Sequence, residues 1–376
     1  MRWTRGMVVA AVLVPLCGCF KMDVNLGDLG GGEGSGKTGG ESGPSQLPAP
    51  GAGGSWKDVA IQYTGAITLG AEHGAVFYAY DTLAYPGKPI ALAVKLLSAR
   101  DLRPIPGVTV AISQGEWLGG KVTTDANGLA TMQWTAPREG NYEFEARIVA
   151  VPDESHAELL QVSPAPMLVA ARPKNARFVV IDLDHTLVDS SFWRVLLAGA
   201  KPMAESVRVT KRIAGAYHLI YLTHRPDLLT HKSKRWLREH GYPPGPLLVS
   251  ELKDVFDSGE FKTAKLSEVR KAYPNVAMGI GDKITDATAY VDNGLTAYLI
   301  PHYKDKPKDM REMARQVRDL RGKRRLQVVS GWREIEQGIF SRRTYPPATF
   351  AARLDNQAGR LEAEQRRKDR DDDDDD

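Results

Sequence analysis

The chain has little cysteine, no long apolar run after its start, and almost no excess of one charge. Its two cysteines, Cys17 and Cys19, both fall near the beginning of 376 residues. No disulfide can therefore brace the later residues, and each later domain must be held by its own core. Beyond the first twenty residues no hydrophobic stretch is long enough to span a bilayer. A formal net charge of +4 is small for this length and gives no case for nucleic acid. What is present is ample apolar material, 42% of the chain, in a length that exceeds one typical domain.

The most informative stretch is Val180-Ile181-Asp182-Leu183-Asp184-His185-Thr186-Leu187. Residues 178–181 are consecutive apolar residues of the kind that fill a strand buried on both faces. Asp182 and Asp184 follow at its carboxyl end, where open parallel sheets collect their ligand chemistry. The chain leaves strand geometry there, so both carboxylates can turn to one ligand. Paired aspartates in that place suggest a Mg²⁺-assisted nucleophile with a partner acid/base. Three further strand-like runs, residues 217–222, 246–250 and 276–280, lead into Thr223-His224-Arg225-Pro226, Glu260-Phe261-Lys262 and Gly281-Asp282-Lys283-Ile284-Thr285-Asp286. Helix-period stretches at 228–240, 264–272 and 285–292 separate them, so the pattern is a repeated β-α unit with polar signatures at or shortly after strand ends.

The order Asp-x-Asp-x-Thr, Thr, Lys, Gly-Asp-x-x-x-Asp resembles the four motifs of the haloacid dehalogenase-like phosphohydrolases. The local wording of residues 221–226, 245–250 and 260–262 is similar to the catalytic domain of lipin-type phosphatidate phosphatases. It also resembles the related domain of phosphatidylinositol transfer proteins and the fungal actin-patch phosphatidate phosphatase, over residues 177–301. The resemblance implies a Rossmann-like α/β domain with a parallel sheet. It makes Asp182 the nucleophile that forms an aspartyl-phosphate, and Asp184 the group that protonates the leaving oxygen and then activates water. It gives Thr223 a hydrogen bond to the phosphoryl group, and Lys262 the neutralisation of charge on that group and on the nucleophile. Mg²⁺ would lie among Asp182, the main-chain carbonyl of Asp184, and Asp282, with Asp286 as ligand or close neighbour. Thr186 and Arg225 are the expected substrate contacts, although Arg225 reads equally as a salt bridge at a helix start. His185 stands where the family usually has Gly or Asp; it would tune the pH profile, touch substrate, or be a tolerated loop side chain.

Between Asp184 and Thr223, and between Thr223 and Lys262, there is no room for a folded cap. An open site suits a phosphate on something bulky, such as a membrane lipid, a glycan or a protein. Residues 192–197, just past the first motif, read either as an apolar lip or as core packing.

The start of the chain bears on location. Arg2 and Arg5, an apolar run over residues 7–16 and then Leu16-Cys17-Gly18-Cys19 read as a bacterial secretory signal of lipoprotein type. Its end resembles a lipobox, so the expectation is an envelope lipoprotein whose Cys19 is acylated and anchored to a membrane. Phe20 after the cysteine favours the outer membrane. Residues 20–55, rich in Gly, Ser and Pro, read as a tether. Gly31-Gly32-Glu33-Gly34-Ser35-Gly36-Lys37-Thr38 formally matches a nucleotide-binding loop, but neither flank can form the buried strand and helix such a loop needs.

Residues 56–165 carry short β-rich runs at 75–80, 90–97, 108–113, 129–134 and 142–149, separated by turn signals, which predicts an antiparallel β-sandwich. The run Thr124-Asp125-Ala126-Asn127-Gly128-Leu129-Ala130, followed by Gly140-Asn141-Tyr142, resembles bacterial immunoglobulin-like or transthyretin-like modules, with Tyr142 as the corner tyrosine. No catalytic cluster occurs in it, so it reads as a spacer or recognition domain whose partner is unknown. Asp125 and Asn127 are explained by turn chemistry better than by a Ca²⁺ site. Residues 166–176 are expected to be a linker, 177–343 the phosphatase domain, and 344–376 a charged tail, disordered or weakly helical, ending in six aspartates. Basic stretches at 304–308 and 321–325 suit either anionic head groups or solvated helix faces. Three functions compete: a Mg²⁺-dependent phosphatidate-type phosphatase, an uncapped envelope phosphatase of other phosphomonoesters, and a non-catalytic phospholipid-binding lipoprotein.

Overall fold

The computed structural model describes residues 71–189, 200–251, 258–320 and 324–373. The expected signal segment with Cys19, the expected tether, the Gly31–Thr38 stretch and the residues 192–197 lie outside the described residues.

Among the described residues the first domain contains eight strands: β1 (Ala75–Ala79), β2 (Thr82–Ala84), β3 (Pro89–Ser98), β4 (Thr109–Gln114), β5 (Trp117–Thr123), β6 (Leu129–Thr135), β7 (Gly140–Ala150) and β8 (Ala165–Ala171). One sheet runs β1-β3-β6 and the other β2-β8-β7-β4-β5. Alternation along β7 turns Phe144, Ala146 and Ile148 inward, where they meet Leu92 and Val94 of β3 and Val110 and Ile112 of β4. Tyr142 is half-buried against this core, and its hydroxyl donates to the Arg138 carbonyl four residues upstream at 2.8 Å, the bond of a tyrosine corner. Asp125 Oδ1 accepts the amides of Asn127 and Leu129 at 2.8 and 2.9 Å, so these residues shape a turn.

The expected linker begins as a strand. β8 pairs antiparallel with β7 and parallel with β2, so the sandwich extends to Ala171 and is not wholly antiparallel. Pro164 and Pro166 mask this strand in the sequence, since proline argues against a central strand. Here Pro166 sits near the strand's beginning, opposite Glu145.

The second domain alternates strand and helix: β9 (Phe178–Ile181), α1 (Ser206–Ala214), β10 (His218–Pro226), a 3-10 turn (Asp227–Leu229), α2 (Thr230–Glu239), β11 (Leu247–Ser250) and α3 (Ser258–Ala272). It continues with β12 (Val276–Gly281), α4 (Ile284–Asp292), β13 (Thr296–Leu299), α5 (Pro307–Asp319), β14 (Leu326–Val328), α6 (Trp332–Ser341) and α7 (Pro347–Asp373). The sheet order is β11-β10-β9-β12-β13-β14, and every pairing is parallel. Period-two alternation in β9 divides the interior. Phe178 and Val180 enter a core with α3, α4, α5 and α7, whereas Val179 and Ile181 enter one with α1, α2 and α6. From β9 the chain winds outward through β10 to β11, then returns to the other side of β9 for β12. That reversal is the switch point at which such sheets bind ligands. Among the described residues no folded cap is inserted between these elements.

The expected tail is largely the long helix α7. Phe350, Ala351, Leu354 and Ala358 are buried, and Arg311–Glu362 and Arg318–Asp355 ion pairs tie the helix to α5. A narrow apolar stripe at spacing one, four and eight is diluted by so many charges that average polarity conceals it.

The two domains share an extensive interface. Leu83 and Tyr85 pack into the α/β core, and Tyr273 donates to the Ala84 carbonyl at 2.6 Å. Tyr85 donates to the Ala272 carbonyl, and Arg172 donates to His218 Nδ1 at 2.9 Å.

Candidate active site

The register of three central strands brings the site together. Ile181 of β9 lies between Tyr221 of β10 and Ile280 of β12, and the Asp182 amide donates to the Ile280 carbonyl at 2.9 Å. Asp182 therefore leaves the sheet beside Gly281 and Asp282. One turn into α4, Asp286 folds back over the end of β12. Gly281 makes this approach possible, because a Cβ there would stand 2.9 Å from the Asp286 carboxylate. Gly279 does the same for Tyr290, whose ring would lie 2.2 Å from an added Cβ.

Lys262 reaches this group from α3. Its ammonium lies 2.9 Å from Asp182 Oδ1 and 2.7 Å from Asp286 Oδ1, and all three side chains are buried. Carboxylate oxygens of Asp182, Asp282 and Asp286 lie within 4.8 Å of one another. Three carboxylates thus face one ammonium. Burial, joined by the charges of Asp286 and Asp184 and opposed by Lys262, lifts Asp182 to about 6. Asp282 is pushed well up by burial and then by Asp182 and Asp286. Burial works against a charged Lys262, but Asp182 and Asp286 outweigh it and hold its pKa well above the ordinary lysine value. Asp282 Oδ1 and Asp286 Oδ2 are buried without a hydrogen-bond partner. Orphaned carboxylate oxygens in a surplus of negative charge are what a cation would satisfy, and an all-oxygen set fits a hard divalent ion such as Mg²⁺.

Asp184 has another environment. Both of its oxygens are taken by Arg225, at 2.9 Å from Nε and 2.7 Å from Nη2. Burial would raise this carboxyl, but the charge and hydrogen bonds of Arg225 prevail and hold it below the usual aspartate range. The Asp184 carboxylate lies outside the set of Asp182, Asp282 and Asp286, which leaves the main-chain carbonyl of Asp184 as the contact expected of it with Mg²⁺. Arg225 is buried, so it is not a surface salt bridge, and its Nη1 donates to Ser233 Oγ at 2.9 Å.

The remaining sequence candidates line the same end of the sheet. Thr223 is buried in β10 and its hydroxyl oxygen accepts the Arg225 amide at 3.2 Å. Thr186 is buried with its hydroxyl unpartnered, and its carbonyl accepts the Trp332 indole N–H at 2.8 Å. His185 adopts a left-handed backbone, φ 53°, a conformation that histidine tolerates better than most residues with a side chain. Its carbonyl accepts from His302 Nε2 at 2.7 Å, and burial followed by His302 pushes its ring pKa down. Trp332 and His302 carried no local signal in the sequence, because they lie 146 and 117 positions from the residues they bond, and Ser233 carried none because a serine within a helix names no partner.

Residues 179–300 match the family model described as PITM 1-3, LNS2 domain. The match supports a lipin-like catalytic domain over that span, and phosphoester hydrolysis of the phosphatidate-phosphatase kind as its chemistry. No curated protein matches the chain. Among solved structures, a chain of the Pnkp1/Rnl/Hen1 RNA repair complex aligns at 17% identity and a TM-score of 0.31, over 40% of this chain and 55% of that one. This chain therefore spans about half the length of that protein. A Paenibacillus sp. cycloisomaltooligosaccharide glucanotransferase complexed with cycloisomaltoheptaose aligns at 8% identity and a TM-score of 0.19, over 67% and 52% of the two chains. Likenesses this distant carry no argument.

Proposed function

We propose that the chain is a Mg²⁺-dependent phosphomonoesterase that works through an aspartyl-phosphate on Asp182 and takes phosphatidate, or a similar anionic membrane phospholipid, as substrate. The observation that carries this reading is the meeting of Asp182, Asp282, Asp286 and Lys262 at the switch point, with two carboxylate oxygens left orphaned. A phosphate dianion is repelled by a carboxylate nucleophile unless positive charge stands between them. Bound by Asp182, Asp282 and Asp286, a divalent cation would supply that charge.

In this reading an Asp182 oxygen attacks phosphorus while the bond from phosphorus to the leaving oxygen breaks, and Lys262 offsets the charge gathered on the phosphoryl group. Asp184 gives its proton to the leaving oxygen, then takes one from the water that splits the aspartyl-phosphate and frees inorganic phosphate. Asp184 is ionised on Arg225 in this structure. An incoming phosphate competes for the guanidinium, and Asp184, once released, can take up the proton it must deliver. The hydroxyls of Thr223 and Thr186 are the remaining phosphoryl donors. Lipid is the preferred substrate because the site has no cap among the described residues and the Leu16-Cys17-Gly18-Cys19 sequence calls for an acyl anchor in the cell envelope, in the outer membrane by its Phe20.

The test is phosphate release with Mg²⁺ from phosphatidate vesicles, nucleotides, sugar phosphates and phosphopeptides, beside Asp182→Asn. Turnover confined to vesicles and lost in the variant is expected. Equal turnover of soluble esters would move the substrate away from lipid, and vesicle binding without turnover in either protein would end the catalytic reading.

A further inference from the structure

Tyr80 and Asp81 are consecutive residues on the link between β1 and β2 of the sandwich, and both reach into the α/β domain. Tyr80 donates its hydroxyl to Asp227 Oδ2 at 2.7 Å. Asp81 Oδ1 lies 2.6 Å from the Lys234 ammonium, and its Oδ2 accepts the Leu247 amide at the start of β11 at 2.9 Å. Lys234 also donates to the carbonyls of Ala79 and Pro166, at 2.7 and 2.8 Å. An ammonium has three protons, and all three are engaged by the sandwich.

Asp227 and Lys234 bracket the 3-10 turn and the first turn of α2. Leu228 and Leu229 between them are buried against Val76, Tyr78, Leu97 and Leu102 of the sandwich. This segment directly follows Thr223 and Arg225, and Ser233, the neighbour of Lys234, holds the Arg225 guanidinium that grips Asp184. A spacer needs none of these buried polar bonds.

We propose that the β-sandwich is the positioning domain of the catalytic site: through Tyr80 and Asp81 it clamps the segment from Asp227 to Lys234 and so aims Thr223 and Arg225 at the reacting phosphate. The inference rests on the phosphatase reading for its effect on rate, but the clamp itself is observable without turnover. Tyr80 and Asp81 are positioning residues, since they touch neither Asp182 nor Asp184.

The experiment compares Tyr80→Phe with Tyr85→Phe in the full chain. Each removes one interdomain hydrogen bond, and Tyr85 bonds the Ala272 carbonyl at the far end of α3, away from the clamped segment. If the interface only stabilises, the two variants behave alike. Positioning predicts that Tyr80→Phe lowers kcat about tenfold, the scale of a sub-ångström misplacement, while Tyr85→Phe keeps the parent kcat. It also predicts faster amide hydrogen exchange over residues 223–234 in Tyr80→Phe alone. An unchanged kcat in Tyr80→Phe, or exchange there no faster than in Tyr85→Phe, overturns the inference. If the parent chain turns over no phosphomonoester, the phosphatase reading fails and exchange alone decides the clamp.

Discussion

Asp182 and Asp184 stand two residues apart and end in opposite electrostatic states. Asp184 meets one guanidinium that satisfies both its oxygens, so it is ionised and balanced. Asp182 shares a single ammonium with Asp286 and lies within coordinating distance of Asp282, so its cluster carries a surplus of negative charge and two unpartnered oxygens. The local balance of charge, not the residue type, decides which carboxylate can hold a cation and attack phosphorus and which can exchange a proton.

The largest expected effect removes the nucleophile. Asp182→Asn should lower kcat at least about a thousandfold while the chain stays folded, since a nucleophile's loss removes most of the chemical step. Circular dichroism beside phosphate release checks both halves.

Breaking the balanced pair should instead harm folding. Arg225→Met leaves Asp184 in a mostly buried place without its partner, which costs roughly 3–5 kcal/mol, read as a lower urea midpoint. If the midpoint is unchanged, the pair is not holding the turn after β9.

The surplus cluster should respond to ions. Mg²⁺ at a hundred times its Kd should stabilise the chain by about 2.7 kcal/mol, seen as a rise in Tm that Asp282→Asn abolishes. Without the ion, Asp282→Asn removes one of three crowded carboxylates and should itself raise Tm.

The smallest effect, and the sharpest separation of the two clusters, is in pH. Asp182 is raised to about 6, so the folded chain holds a proton that the unfolded chain has released, and ion-free stability falls as pH rises from about 4 through 6. Asp184 is lowered, so its contribution is present above the ordinary aspartate pKa and is lost as pH falls below it. Thermal stability in EDTA, read as Tm, should therefore fall from pH 4 to pH 7, and Mg²⁺ should cancel that decline.

Much of this arrangement is legible in the chain alone. Residues 178–181 read as a doubly buried strand because both faces of a central parallel strand demand apolar side chains, and the spacing of the polar signatures puts them at strand ends. Strand β5 carries no such signal. With Gly119 and Gly120 inside it, β5 has little apolar pattern of its own and is fixed by pairing with β4. The same holds for β8 with its proline and for α7 with its diluted stripe.

The order of the chemical groups and the periodicity of the strands and helices were settled by the amino-acid sequence, because those depend on neighbours a few residues away. It took the folded chain to assign Arg225 to Asp184, to set Lys262 between Asp182 and Asp286, and to bring Tyr80 and Asp81 of the sandwich onto the segment behind the second motif. These pairings join residues from about twenty to about 150 positions apart. They are set by strand register and by the packing of one domain on the other, which no local pattern encodes.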